Sequence, residues 1–409
     1  MKHLRAELHG PRACPFLITL ATSAVSTSLS VPSASGPPGR IATLDSIQAL
    51  RGLAAAFVVL YHSGLRLGGE GNGGGVLAWL TTHVIQRGHV GVDVFFVISG
   101  FIIAWVAVLA PASPETPGRF AIRRLCRLAP PYWVMSAVHA ALLNPVSLAV
   151  FASSLAFLPV AQSDAPYYGY PALYVGWSLN YELAFYAIFA LALWMARRRA
   201  LWVVAAVLGL TTIVLPWLRF GAVDLDPTHL HPFASTWLSM ISNPLVLEFL
   251  LGCALAWLYA RTRDVLTPSV AALLCAAGTT AFAWSVVAVE PTFSLSGRGL
   301  PAAALLFGAL AAEHCGLLRV PRGLMRLGEL SYALYLVHPT VIEGIKRMTP
   351  ELRPDQPGWQ LLRFGVNVAL SLALAMLLHR WVERPGMAFG KQWALRMGEP
   401  QPALARRGR

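Results

Sequence analysis

The chain has 409 residues, 56% of them hydrophobic and only 12% charged, with a mean hydropathy of +0.58. Soluble domains carry about 25% charged residues, so this composition excludes an ordinary soluble protein and describes a polytopic membrane protein. The net charge of +13 does not argue for nucleic acid, because the basic residues sit in short loops between apolar stretches, as the positive-inside rule requires.

Residues 1–46 open with Lys2, Arg5 and Arg12 ahead of PFLITLATSAVSTSLS. The pattern is that of a signal peptide. Cleavage would leave the new N-terminus outside, against the topology derived below, so the segment is read as a disordered or spuriously extended tail. The first span, Ile47 to Ser63, carries Arg51 near its start and His62 near its end. On a helix rising 1.5 Å per residue they lie about 16 Å apart along the axis. An ionisable group inside a span is costly and marks a functional site by default.

A flexible polar loop follows at Gly68–Gly75, and Val76–Ile85 is too short to span and reads as interfacial. The second span is His89–Ala110, with Asp93 close to its outer end. Arg119, Arg123, Arg124 and Arg127 form a basic loop. The third span runs from Leu128 to about Leu143, where Asn144-Pro145 interrupts it; Val146–Val160 reads as a re-entrant or short surface segment. The fourth is Leu173–Ala196, which holds GWSLNYELAFY and ends at Arg197-Arg198-Arg199. Further spans lie at 200–218, 236–260, 268–289, 299–317, 329–347 and 360–381.

The fold class is therefore all-α, with about ten transmembrane helices. Arginine-rich loops at 119–127, 197–199, 261–263 and 319–326 fall on alternate sides and set both termini in the cytoplasm. A membrane domain occupies 47–390, and 391–409 is a basic cytoplasmic tail. The cysteines show neither a CxxC nor a Cys/His metal spacing, so no disulfide framework and no metal are expected.

This topology puts polar residues at two depths. Arg51 and Arg123–Arg127 lie toward the cytosol, where guanidinium groups suit a phosphorylated ligand. His62, Asp93 and Glu182 lie toward the outside, at what reads as one level. Imidazole there can accept a proton near neutral pH, and a carboxylate would orient it. A site joining a cytoplasmic phosphorylated donor to an outward acceptor is what group transfer across a membrane needs.

Five stretches, in order, give this chain a resemblance to the acyltransferase-3 family of integral membrane acyltransferases. They are LRGLAAAFVVLYH (Leu50–His62), GVDVFFVISGFII (Gly91–Ile103), RRLCRLAPPYW (Arg123–Trp133), GWSLNYELAFY (Gly176–Tyr186) and LSYALYLVHPTVI (Leu330–Ile342). PLVLEFLLGCALA and WVERPG add weaker support. The resemblance implies a ten-helix domain in the inner membrane, binding no cofactor. It implies transfer of an acyl group, acetyl by default, from acyl-CoA to a hydroxyl of an extracytoplasmic carbohydrate such as exopolysaccharide, lipopolysaccharide or a lipo-oligosaccharide. His62 matches the family's proposed catalytic histidine, Arg51 its partner on the same helix, and Glu182 the glutamate of the WSLxxE stretch. Arg124 and Arg127 match an RxxR motif on the donor side, with Arg123 as a neighbouring register.

Each residue also has a structural reading. Arg51, Arg124 and Arg127 suit positive-inside anchors. Asp93 suits a cap, or a pair with an arginine such as Arg363, and Glu248 a buried pair with a neighbouring helix. Trp177, Ser178, Tyr332 and His338 are the candidates for lining the pocket, although Trp177, Tyr332 and Tyr335 read first as packing aromatics. A secondary transporter of a polysaccharide precursor or metabolite is the alternative, but the internal repeats common in transporters are not visible.

Overall fold

A computed structural model describes residues 44–64, 75–109, 115–290, 292–349 and 357–397. The expectation for residues 1–46 lies outside these, apart from its last three. The described residues are mostly helical and contain no strand. Six segments are long and apolar enough to cross a membrane: Ala78–Leu109, Tyr174–Phe220, Pro244–Val265, Pro268–Ala288, Leu295–His314 and Gly358–Arg396.

Helix α1 is Asp45–His62 and opens two residues before the expected Ile47. Helix α2 is Val76–His83, and α3 is Gly91–Ala104, continued by a π-turn to Leu109. Helix α4 spans Pro117–Leu142, so the basic loop expected at 119–127 is the first part of that helix, capped by Thr116. Eight-residue α5, Leu148–Leu155, is too short to cross. Then come α6 (Trp177–Ala196), α7 (Ala200–Gly209), α8 (Leu215–Phe220) and α9 (Thr236–Ile241). The rest are α10 (Leu247–Thr262), α11 (Pro268–Ala288), α12 (Leu300–His314), α13 (Arg322–Met348), α14 (Pro357–Leu378) and α15 (Arg384–Arg396). The first part of the tail expected at 391–409 is thus helical, and α15 packs on α4.

The bundle pairs α1 with α13, α3 with α10, and α11 with α12. Lipid is as apolar as a leucine side chain, so helices in a membrane gain most from close backbone approach at small residues. The α1–α13 contact is one such case, and α3 on α10 at Gly100 and Gly252 is another. A Cβ added to Gly52 would lie 2.7 Å from the Gly328 nitrogen, and one on Gly328 would lie 2.1 Å from the Gln48 carbonyl oxygen.

The start of α1 is fixed from another helix. Its N-cap is Leu44, which offers no side-chain acceptor. Glu313 of α12 supplies one instead: the backbone N–H groups of Asp45 and Ser46 donate to it at 2.7 and 2.9 Å, and the Ser46 hydroxyl also donates. A carboxylate at a helix N-terminus satisfies orphan N–H groups and complements the helix dipole.

Between α8 and α9, the loop 221–235 is ordered by its own polar groups. Asp224 accepts from the His229 imidazole at 2.6 Å, and Thr228 donates to Asp226. Asn243 holds the Pro227 carbonyl at 2.8 Å. The hydrogen bond to Asp224 raises the His229 pKa, while the Asp226 backbone N–H and then His229 lower that of Asp224.

Two outcomes are expected. Gly328→Val forces α1 and α13 apart, and overpacking of this kind costs about 1–3 kcal/mol. Thermal unfolding in detergent reads it as a lowered midpoint, whereas Gly323→Ala, whose added Cβ meets nothing within 4 Å, leaves the midpoint unchanged. The His229–Asp224 attraction needs a protonated imidazole and an ionised carboxyl. It is present below the raised His229 pKa and is lost as pH rises through it; it is also lost as pH falls through the lowered Asp224 pKa. Hydrogen exchange corrected for intrinsic rates shows loop 221–235 best protected between those limits, and His229→Asn abolishes the high-pH loss of protection.

Candidate active site

Two cavities of opposite character lie in the bundle. The first is narrow, about 60 Å3, and is lined by Arg51 of α1, Arg124 and Arg127 of α4, Ser178 and Glu182 of α6, and Tyr332 of α13 among others. Three guanidinium groups face one lining carboxylate, and none of the three is in an ion pair among the described residues. The Arg124 guanidinium lies 5.6 Å from the centroids of both the Phe120 and Tyr186 rings. Glu182 accepts from Ser99 at 3.1 Å and from the Tyr186 hydroxyl. A buried excess of positive charge of this kind favours an anion, phosphate above all. Glu383, nearly fully buried and hydrogen-bonded to His379 at 2.8 Å, is a further electrostatic neighbour of Arg51.

The second cavity is wide, about 590 Å3, and is lined by His62, His89 and a wall of aromatic side chains that includes Trp177. His62 ends α1 there. Its Nδ1 lies 3.0 Å from the Val58 carbonyl oxygen and 3.2 Å from His338 Nε2. His338 is fully buried, and its Nδ1 lies 3.2 Å from the Leu334 carbonyl oxygen. These contacts fix both tautomers. His338 donates from Nδ1, so its Nε2 accepts; His62 donates from Nδ1 to Val58 and His338, so its Nε2 keeps a free lone pair.

The cavities share two lining residues, Val92 and Tyr335. The Tyr335 hydroxyl is 2.8 Å from Ser178 Oγ and donates to the Val175 carbonyl at 3.1 Å. This small hydrogen-bonded group stands between the arginines and the histidine.

Neither Glu182 nor Asp93, expected to group with His62, lines the wide cavity. Glu182 lies with the arginines. Asp93 is fully buried beside Glu248, with Arg298 as its charged neighbour rather than Arg363. The helical twist explains the difference: one residue beyond Val92 turns a side chain about 100° away from the cavities. Arg123 is excluded from the narrow cavity and pairs with Glu115 at 2.8 Å. Trp177 lines the wide cavity, Ser178 and Tyr332 the narrow one, and Tyr335 both. Reasoning from sequence missed the direct contact of His338 with His62, and it missed Glu383 and His89. The ER pair of WVERPG is the sequence signal for Glu383, and nothing in the sequence points to His89.

The profile of the acyltransferase-3 family, an acyltransferase domain, matches residues 44–380. The exopolysaccharide production protein ExoZ of Rhizobium meliloti is 32% identical over 317 residues, 75% of this chain and 93% of its own length. Acyltransferase MdmB of Streptomyces mycarofaciens is 32% identical over 380 residues, 86% of this chain and 93% of its own. The peptidoglycan O-acetyltransferase OatA of Listeria monocytogenes is 26% identical over 384 residues, 84% of this chain and 55% of its own. No solved structure matches the chain. With the family profile covering most of the sequence and the helical bundle built around that match, the chain belongs to the acyltransferase-3 family of membrane O-acyltransferases.

Proposed function

We propose that this protein moves an acyl group, acetyl by default, from cytoplasmic acyl-CoA to a hydroxyl of an extracytoplasmic carbohydrate. Exopolysaccharide, lipopolysaccharide and lipo-oligosaccharide are the candidate acceptors, and the inner membrane is the setting. One observation carries this reading: a cation-rich cavity and a histidine-bearing cavity meet at Val92 and Tyr335. The names of the relatives, which speak of exopolysaccharide production and peptidoglycan O-acetylation, support a carbohydrate acceptor. Helices α1, α4 and α13 are long but interrupted by charge. Counting them as crossings, and separating α6 from α7–α8, gives ten spans with both termini in the cytoplasm.

The donor's phosphates sit on Arg124 and Arg127, with Arg51 deeper, and its thioester end reaches Tyr335. Acyl-CoA is a co-substrate here, and no bound cofactor takes part. The acceptor enters the wide cavity. His62 Nε2 removes the hydroxyl proton as the oxygen attacks the thioester carbonyl. As the tetrahedral intermediate collapses, the carbon–sulfur bond breaks and the same proton passes from His62 to the leaving thiolate. His338 is a positioning residue: its Nε2 holds the Nδ1 proton of His62 and shares the positive charge when the imidazolium forms, a task more often given to a carboxylate. Glu182 acts on the donor side, as the carboxylate that keeps the arginines apart and the Tyr186 hydroxyl in place. Asp93, away from both cavities beside Glu248, contributes to packing rather than to the reaction.

Membrane vesicles given labelled acetyl-CoA test this. His62→Ala lowers transfer to carbohydrate by about 10²–10⁴-fold, the usual contribution of a positioned base. Arg124→Ala raises KM for the donor by about tenfold or more, from loss of charge-assisted hydrogen bonds, and changes kcat less. His338→Ala lowers kcat with little change in KM, and His338→Asn, which keeps an acceptor, recovers part of it. A membrane-inserted His62→Ala protein with full transfer activity refutes the histidine's role. Unmodified carbohydrate accumulating in the vesicles, with no label in it, indicates transport instead.

A further inference from the structure

The wide cavity also constrains what kind of acceptor it can take. Its described lining consists of aromatic rings, small apolar residues, two threonines and two histidines, with no Asp, Glu, Lys or Arg among the described residues. The rings brace one another. Trp177 meets Tyr167 edge-on at 5.0 Å and Phe293 at 5.6 Å, and Tyr167 stacks on Tyr170 at 5.2 Å. Rigid aromatic faces suit the C–H faces of a sugar ring and give contact area at low cost in side-chain entropy. The volume, about 590 Å3, falls in the range of about 300–1,000 Å3 usual for small-molecule sites.

Two cations that are electrostatic neighbours of His89 point at backbone carbonyls and do not line the cavity. Arg87 donates to the carbonyl oxygens of Val286 and Val289, and Arg298 to those of Ser285, Val289 and Glu290. A carboxylate or phosphate brought into the cavity would lose its hydration and find no Lys or Arg in the lining for a direct salt bridge. His89 differs from the rest of the lining. Its ring is held edge-on between Tyr61 at 5.5 Å and Phe293 at 5.6 Å, and its Nε2 is buried with no hydrogen-bond partner. A buried polar atom left unpaired in this way is matched by a ligand that completes it.

We propose that the cavity takes an uncharged sugar ring, held by its apolar face on the walls of Trp177, Tyr167 and Phe293. His89 Nε2 hydrogen-bonds a hydroxyl of that ring near the one presented to His62. His89 is thus the residue that selects the acceptor, and uronic acids and phosphorylated sugars are rejected. This rests on the acyl-transfer reading only for the role of the cavity as the acceptor's side.

Equilibrium binding without any acyl donor tests it, using the full chain in nanodiscs and isothermal titration. The probes are the 4-nitrophenyl glycosides of glucose, galactose and N-acetylglucosamine against the matched glucuronide and galacturonide. At least one neutral glycoside binds about tenfold or more tighter than either uronide at pH 7. His89→Ala weakens that binding by about five- to tenfold, the value of one lost hydrogen bond, and His89→Gln retains part of it. A uronide that binds as tightly as the best neutral glycoside overturns the proposal, as does binding of none of them or undiminished binding by His89→Ala. Because no donor is present, a protein that binds neutral glycosides yet transfers no acyl group contradicts the proposed reaction and leaves this assignment standing.

Discussion

The close packing of α1 on α13 at two glycines sets the position of the candidate site. At Gly52 and Gly328 the backbones of α1 and α13 come closer than any side chain allows. Ten residues further along each helix, His62 at the end of α1 and His338 within α13 face each other with ring centroids 5.0 Å apart. Glu313 fixes the other end of α1 by taking its first N–H groups. A helix pinned at its start and its middle has little freedom left at its end. The position of the His62 imidazole is therefore a property of the bundle, not of a loop.

Along that one helix the chemistry changes sign. Arg51 opens into a narrow, cation-rich space, and His62 into a wide aromatic one. Each environment would be expensive alone inside a membrane. The two share Val92 and Tyr335 as lining residues. Tyr335, shared by both, and Ser178, which lines the narrow cavity, are joined to each other by a hydrogen bond and to the Val175 carbonyl. The histidine pair is held without a carboxylate, by contacts between the two imidazoles and to two backbone carbonyls.

Part of this architecture is legible in the amino-acid sequence. Composition alone identifies a helical membrane protein, and the separation of Arg51 from His62 holds because both lie on one helix, α1. Depth along an axis is readable from spacing; the face a residue points to is not. Trp177 and Ser178 are adjacent, yet they line different cavities, and Glu182 follows Ser178 onto the arginine side. Asp93 lies near the start of α3, as its spacing implies, but it is buried against Glu248 of α10. Contacts between residues far apart in the chain leave no trace at all: His338 is 276 positions from His62, and Glu313 is 268 from Asp45. The His338-Pro339 pair of the ninth span is visible in the sequence. The proline withholds an N–H from the Tyr335 carbonyl, but nothing in the spacing says that the histidine beside it faces another imidazole.

The central claim is that one continuous route leads from the arginines past Tyr335 to His62. A cryo-electron microscopy map of the full chain with a non-transferable thioether analogue of acetyl-CoA tests it most directly. The account places the analogue's phosphates against Arg124 and Arg127 and its sulfur beyond Tyr335, within reach of His62 Nε2. A map in which the analogue is bound elsewhere, or in which its chain ends on the arginine side with Val92 and Tyr335 closed beneath it, would contradict the account.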